Sequence, residues 1–301
     1  MDIGQCSCVI LNYNDAETTI ALVRRIHGYG CLKHILVVDN CSTDDSWDKL
    51  NTLAYLNKVI CLRTDRNGGY GYGNNYGVRY AGEVLQEAAV LIVNPDVEFS
   101  EDCLSACLKA LHSREDMAIV SPLQLDSSGK IIRQFAWNIG SGLRHLLSCE
   151  AFLRHMVFPL PCADVDLKQE LAFVDCVPGS FLLVDTGKFL LSGGYHRDMF
   201  LYWEETLLGY RVKQMGWKTA LLLQQKYTHN HSVSIQKSIP RIAIQRRIQY
   251  DSFLICLREI WGYGKIRLLL ARLFLKWCLT EEKILTILKR MISGRNRTND
   301  I

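Results

Sequence analysis

Over its first 125 residues the chain alternates short apolar runs with longer stretches of helical periodicity, a rhythm that few folds accommodate. The runs Cys6–Leu11, His34–Val38, Lys58–Leu62, Val90–Val93 and Met117–Val120 have the length of buried strands. Between them, Ala16–His27, Asp45–Leu56, Tyr72–Gln86 and Glu101–Leu111 carry helical spacing. Strands separated by helices of this length predict βαβ units, and so an α/β fold with a mostly parallel sheet flanked by helices. Cys41–Asp44 offers N-cap chemistry for the second helix, and Ser100 with Glu101 for the fourth. In such sheets, ligands collect beyond the carboxyl ends of the strands.

The rhythm changes after that point. Residues 126–172, with Pro159 and Pro161, read as an irregular connection over the site. Two further strands are predicted at Phe173–Val177 and Ser180–Val184 around Pro178-Gly179, and another at Thr219–Leu223. A helix over Glu204–Met215 sets Leu208, Val212 and Met215 on one face and stops at Gly216. From Pro240 onward the pattern is helical and basic, so we divide the chain into a domain over 1–240 and a helical C-terminal extension over 241–301.

Charge supports that division. Beyond Pro240 there are 13 Lys/Arg against 5 Asp/Glu, an excess of eight, while the whole chain carries only +4. Residues 1–240 therefore hold −4, and the basic character belongs to the extension alone. Lys265, Arg272 and Lys276 fall at i, i+7 and i+11, one stripe of a helix otherwise rich in Leu, Phe and Trp. Such a segment suits an anionic membrane surface; its other reading is a helix packed on the first domain with a solvated basic face. The basic residues are interleaved with too many Leu and Ile for a nucleic-acid surface.

With 301 residues and 49% hydrophobic composition, the chain can bury a core without covalent staples. Its twelve cysteines are scattered, none in a C-x-x-C pair, and Cys6 and Cys8 lie in an apolar run where a thiol serves as a small core side chain. Met1–Gln5 lacks the basic start of a secretory signal, and no run of eighteen apolar residues occurs. Abundant thiols without an export signal predict a cytoplasmic protein.

The residues with chemistry to offer sit where the strands end. Asn12-Tyr13-Asn14 follows the first, and Asp39 closes the second, where a carboxylate can accept from a nucleobase or ribose hydroxyl or simply cap a turn. Asn67-Gly68-Gly69-Tyr70-Gly71-Tyr72-Gly73 precedes a helix, so its backbone can approach a phosphate, or form a flexible loop. Asn94-Pro95-Asp96 follows Val90–Val93; one carboxylate there can hold a divalent cation against a diphosphate, or cap the turn into Val97. Tyr202-Trp203-Glu204-Glu205 opens a helix whose dipole favours acids, though capping needs only one of them. His229-Asn230-His231-Ser232 offers a ligand or a structural imidazole.

In this order the motifs resemble those of the family 2 glycosyltransferases, inverting enzymes with the GT-A fold. The resemblance rests on Asn12-Tyr13-Asn14, Val38-Asp39-Asn40-x-Ser42-x-Asp44, Asn67-x-Gly69-Tyr70-Gly71-x-Gly73-x-Asn75-x-Gly77 and Asn94-Pro95-Asp96-Val97. It continues through Gly179-Ser180-Phe181, Gly193-Gly194-Tyr195, Phe200-x-x-Trp203-Glu204-Glu205 and His229, roughly residues 5–235. The glycine-rich segment and the Asn-Pro-Asp look most like bacterial rhamnosyltransferases of polysaccharide and O-antigen assembly.

The resemblance implies a nucleoside-diphosphate sugar donor and a saccharide or lipid-linked saccharide acceptor, met at the inner face of the plasma membrane. It makes Glu205 the general base and gives Asp96 and His229 a divalent metal, Mg²⁺ or Mn²⁺. It places Tyr13, Asp39, Asn67, Gly69, Asn94, Gly179, Ser180 and Glu204 around donor and acceptor. Two departures stand out: Leu207 occupies the position of a second Asp, and His196 replaces the Asp after Gly-Gly-Tyr. The first leaves open a catalytically impaired nucleotide-sugar binder; a polysaccharide synthase would need the spanning helices that this sequence does not contain.

Overall fold

A computed structural model describes residues 4–151, 153, 162–230 and 242–296. It divides into two compact units, one of residues 1–139 with 162–240, the other of residues 140–161 with 241–301. The segment read as part of a connection over the site thus contributes residues 140–161 to the unit of the C-terminal helices; Pro159, Pro161, His231 and Ser232 lie outside the described residues.

The first unit is built on β1 (Cys6–Asn12), α1 (Ala16–Ile26), β2 (Leu32–Asp39), α2 (Ser46–Asn51), β3 (Val59–Arg63), α3 (Tyr70–Arg79) and β4 (Ala89–Val93). It continues through β5 (Val97–Glu98), α4 (Glu101–His112) and β6 (Met117–Leu125). The second unit contributes α5 (Gly142–Leu147) before β7 (Leu171–Val174), β8 (Phe181–Asp185), α6 (Thr186–Leu191), α7 (Glu204–Gln214) and β9 (Lys218–His229) complete the first. The sheet runs β3-β2-β1-β4-β8-β6-β9-β5, with β7 also paired to β9. The expected βαβ crossovers make β3, β2, β1 and β4 parallel. Beyond them the sheet is mixed: β8 lies antiparallel between β4 and β6, while β9 runs parallel to β6.

Strand alternation explains the two-sided core. Cys6, Cys8 and Ile10 face α1 and α4 with Leu22, Leu104 and Leu108, whereas Val9 faces the opposite side with Val78, Phe189, Leu208 and Val212. All twelve cysteines are free, and burial pushes the Cys6 and Cys8 thiols far up, so they serve as core side chains. The helix α3 packs so closely on β1 that a Cβ at Gly73 would collide with Leu11. Part of the glycine-rich pattern is thus a packing requirement.

Local predictions fared unevenly. Ser100 caps α4 by accepting from the Cys103 N–H at 3.1 Å. The second helix instead starts from Asp45 without a side-chain cap, because Ser42 is drawn back to Asp39; only Asp44 reaches forward, to the Ser46 N–H. That helix is also shorter than its apolar spacing suggests, giving way to a 3₁₀ turn at Thr52–Tyr55, and α3 ends in a π turn at Tyr80–Val84. The strand expected over Thr219–Leu223 runs on to His229, past a register shift against Pro122 and Leu123.

In the second unit, α5 meets α8 (Ile242–Glu259), which packs on α9 (Lys265–Asn296). The His145, Phe253 and Trp261 rings cluster with centroids 5.8–6.4 Å apart, and Trp261 Nε1 donates to the Gly140 carbonyl at 2.9 Å. Burial, reinforced by Arg144, pushes the His145 imidazole down to about 4.

Candidate active site

The parallel strands deliver their carboxyl ends to one edge, where Asn12 lies opposite Asp39 and Asp39 opposite Arg63. Asp39 is fully buried. Its carboxylate accepts from Asn12 Nδ2 at 3.0 Å and from the Ser42 N–H at 3.1 Å, accepts the Ser42 hydroxyl, and faces Arg63 Nε at 3.3 Å. It therefore ties together the turns that follow β1, β2 and β3. Tyr13, in the turn after β1, is half-buried, and Asn14 beside it adopts φ 53°.

The adjacent Asn40 carries this order to the glycine-rich segment. Its Nδ2 donates to Asn67 Oδ1 and to the Gly69 carbonyl, both at 3.0 Å, while Asn67 Oδ1 also accepts from the Gly69 N–H at 3.1 Å. At φ 91°, Gly69 adopts backbone open to glycine, and any Cβ there would collide with the Phe200 carbonyl. That carbonyl accepts the Tyr70 N–H at 2.9 Å. The segment is a fixed element held from both sides rather than a free loop.

On the other side of β4, the antiparallel β8 brings its beginning, not its end, to the same edge. The Asn94 N–H donates to the Ser180 carbonyl at 3.0 Å, and Phe181 pairs with Val93. The next strand end explains how two residues far apart in sequence meet: β9 pairs with β5 so that His229 lies opposite Val97. This register sets His229 Nε2 3.0 Å from Asp96 Oδ1, and the Asn230 N–H on the Asp96 carbonyl at 3.0 Å. Both side chains are over nine-tenths buried.

Behind His229 a chain of polar side chains runs inward. Its Nδ1 lies 3.1 Å from Gln124 Nε2; Gln124 Oε1 accepts from Tyr227 Oη at 3.0 Å; and Ser180 Oγ lies 2.7 Å from Tyr227 Oη. An amide N–H can donate only to an unprotonated Nδ1, which leaves Nε2 carrying the proton towards Asp96 in this arrangement. Ser180, buried, spends its hydroxyl inside this chain. Sequence reasoning passed over Gln124 and Tyr227. Gln124 carried a usable signal, an amide between Leu123 and Leu125 near the end of a mostly apolar strand.

Gly179, just before Ser180, borders the acidic pair. Left-handed backbone at Tyr202 and Trp203, both φ 71°, turns the chain into α7. Glu204 and Glu205 then diverge, since neighbouring helical residues point about 100° apart. Glu204 is buried with Oε1 unpartnered, and burial, then the charge of Glu205, holds its carboxyl well above the usual range. Glu205 is half-buried and lies against Gly179, where a Cβ would collide with its Oε1. Burial raises its carboxyl as well. Of the two acids, Glu205 is the one that can reach a proton outside the core. Tyr70 completes this wall by donating from Oη to the Gly179 carbonyl at 2.7 Å.

Among the described residues, no three His, Cys, Asp or Glu side chains gather into a metal cage. Asp96 and His229 nevertheless stand side by side, and a cation that displaced the Nε2 proton would find a carboxylate oxygen and an imidazole nitrogen there. This donor set fits a cation that draws the rest of its shell from phosphate and water.

The family model Glycosyl transferase family 2 matches residues 7–148. The low-salt glycan biosynthesis hexosyltransferase Agl10 of Haloferax volcanii is 28% identical over 214 residues, 70% of this chain and 62% of that protein, so the chain spans less than two thirds of that relative's length. An N-acetylglucosaminyl-diphospho-decaprenol L-rhamnosyltransferase of Mycobacterium tuberculosis is 27% identical over 210 residues, covering 66% of this chain and 67% of its own. Among solved structures, the mannosyltransferase PcManGT of Pyrobaculum calidifontis, in complex with GDP-Man and Mn²⁺, superposes with TM-score 0.57 at 14% identity over 91% of this chain and 71% of that one. TarS 1-349 of S. aureus in complex with UDP-GlcNAc gives TM-score 0.55 at 12% identity over 88% and 69%. At such identity these two likenesses establish the fold, which is GT-A.

Proposed function

With a glycosyl transferase family 2 domain over residues 7–148 as the premise, we propose that this chain is an inverting glycosyltransferase. It moves a hexosyl group, rhamnose in the first instance, from a nucleoside-diphosphate donor to a hydroxyl of a lipid-linked saccharide during O-antigen and related cell-surface polysaccharide assembly. The observation that carries the proposal is the meeting at one sheet edge of the Asp96–His229 pair and, across Gly179-Ser180, of Glu205. The activities by which the two relatives are named, hexosyl and rhamnosyl transfer, support the same reading.

Inverting transfer is a single displacement and needs no enzyme nucleophile. Glu205 takes the acceptor proton as the hydroxyl attacks the anomeric carbon and the bond from that carbon to the nucleoside diphosphate breaks; a carboxyl raised by burial is the better base for it. The loops ordered by Asp39 and Asn40, with Tyr13, Asn67 and Gly69, bind the nucleoside, while Asn94, Gly179 and Ser180 border the sugar. Glu204, buried beside the base, supports it. Asp96 and His229 would hold a divalent cation, Mg²⁺ or Mn²⁺, which when bound neutralises the diphosphate. In this reading the chain works on the cytoplasmic side, peripheral to the anionic membrane surface that carries the acceptor's lipid; among the described residues no helix is long and apolar enough to cross a membrane.

One observation favours a second reading, a nucleotide-sugar binder with impaired catalysis: Leu207 takes the place of an acid and is buried. A thermal-shift panel of nucleotide sugars with Mn²⁺, followed by transfer and donor hydrolysis with and without metal, separates the two. A ligand at 100 times its dissociation constant stabilises by about 2.7 kcal/mol. Stabilisation by one donor with turnover supports the transferase, stabilisation without turnover supports the binder, and no response to any donor defeats both.

A further inference from the structure

The helix α9 carries three stripes. Ala271, Leu275 and Cys278, spaced by four and three, are buried. Ile266, Leu270, Leu273 and Trp277, spaced by four, three and four, are each more than half exposed, as is Leu269 beside them. At 3.6 residues per turn the exposed apolar stripe lies roughly 140° round the helix from the buried one, and runs for about 17 Å. Lys265, Arg272, Lys276 and Lys283 form the third stripe, exposed along one border of the apolar face. No acidic residue occurs between Lys265 and Thr280.

An apolar ridge of this size in water is costly, and monomeric proteins seldom leave one uncovered without a use for it. Its basic border selects the occupant. A second copy pairing its own α9 with this one would bring another basic row, and no acid within Lys265–Thr280 to answer it. A bilayer with anionic headgroups supplies both an apolar layer for the ridge and opposite charge for the border. We infer that α9 lies in the plane of an anionic lipid surface, with Ile266, Leu270, Leu273 and Trp277 inserted at the headgroup–acyl boundary and its lysines and arginine on the phosphates. This deepens the membrane part of the proposed function and depends on no step of the transfer chemistry. It differs from simple charge attraction in a measurable way, because an inserted face resists salt.

The test is flotation of the full chain with vesicles of phosphatidylcholine alone or with one quarter phosphatidylglycerol, at low and at high salt. The wild-type chain binds the phosphatidylglycerol vesicles and keeps part of that binding at high salt. The charge-neutral pair Leu270→Gln/Leu273→Gln loses at least tenfold in affinity. The pair Arg272→Gln/Lys276→Gln loses roughly 25-fold at low salt, about fivefold for each basic side chain near an anionic leaflet. Trp277→Ala is the second apolar variant, should the leucine pair lower the thermal midpoint. Binding unchanged in both apolar variants overturns the inference, as does absence of wild-type binding to any vesicle. A concentration-dependent dimer that the same variants dissolve, without vesicle binding, also overturns it and assigns the ridge to a second copy. Donor-induced thermal stabilisation, read in parallel, reports on the transferase reading alone.

Discussion

Replacing Gly179 with Ala tests the placement of the base without touching its chemistry. The new Cβ would fall about an ångström inside the closest approach that real Cβ atoms make, against Glu205 Oε1, with Glu205 Cδ at 3.0 Å and Cγ at 3.2 Å close behind. Glu205 sits in the first turn of α7, and the atoms that the new Cβ meets all belong to its side chain, so the side chain, rather than backbone, gives way. Moving a catalytic group by about 1 Å costs on the order of 10²-fold in rate. Gly179→Ala should therefore lower kcat about a hundredfold while leaving donor affinity within a factor of two. The assay is steady-state transfer at saturating donor and acceptor, with the thermal midpoint as the folding control. A double-mutant cycle makes the argument strict. If Gly179 acts only through Glu205, adding Gly179→Ala to Glu205→Gln costs nothing further, whereas independent effects multiply. A folded Gly179→Ala protein turning over at the wild-type rate refutes the assignment of Glu205 as base, as does full multiplicativity.

Glu205→Gln alone should reduce kcat by about 10²–10⁴ with donor binding intact; retention of more than a tenth of wild-type turnover removes Glu205 from that role, and Glu204→Gln is the milder control. In Asp96→Ala the donor's affinity should become nearly indifferent to EDTA, which weakens donor binding to the wild type; equal sensitivity in titration calorimetry removes Asp96 from the metal. Below its ordinary pKa of 6.5, His145 takes up a proton more readily unfolded than in its buried site at about 4. The helical unit therefore keeps this stability above pH 6.5 and loses up to roughly 3 kcal/mol as pH falls from 6.5 to 4. His145→Phe should flatten that slope in denaturant melts followed by tryptophan fluorescence, and an unchanged slope contradicts the cause.

The first half of the sheet was legible because its strands are buried on both faces and separated by helices; Ile10, Val37, Ile92 and their neighbours leave little alternative to a parallel core. The end of β9 was not. Gln224, Gln225 and Lys226 interrupt the apolar run, and the shift in register at Pro122/Leu123 accommodates them in a way that alternation along one strand does not reveal. For the same reason the partnership of Asp96 with His229, residues 133 apart in sequence, comes from the pairing of β5 with β9 rather than from either motif. Adjacent acids posed a different problem. Nothing in the dipeptide Glu204-Glu205 says which carboxylate is buried; the left-handed turn at Tyr202-Trp203 decides it.

The orientation of β8 gives the site its coherence. A strand entering parallel to β4 would carry its first residues to the far edge of the sheet and leave Glu205 without the neighbour that shapes it. Running antiparallel, β8 starts at the ligand edge, and two consecutive residues act in different directions. Gly179 turns to α7, where its missing side chain makes room for Glu205 and its carbonyl receives Tyr70. Ser180 turns inward to Tyr227 and Gln124, and through them to His229 and Asp96. The base and the Asp96–His229 pair are thus positioned from one peptide, each through its own residue. Ser180→Ala should accordingly affect the metal dependence of donor binding more than the protonation of Glu205, because its hydroxyl belongs to the histidine side of the junction. A shift confined to the pH profile of kcat, with metal dependence unchanged, would place the junction elsewhere.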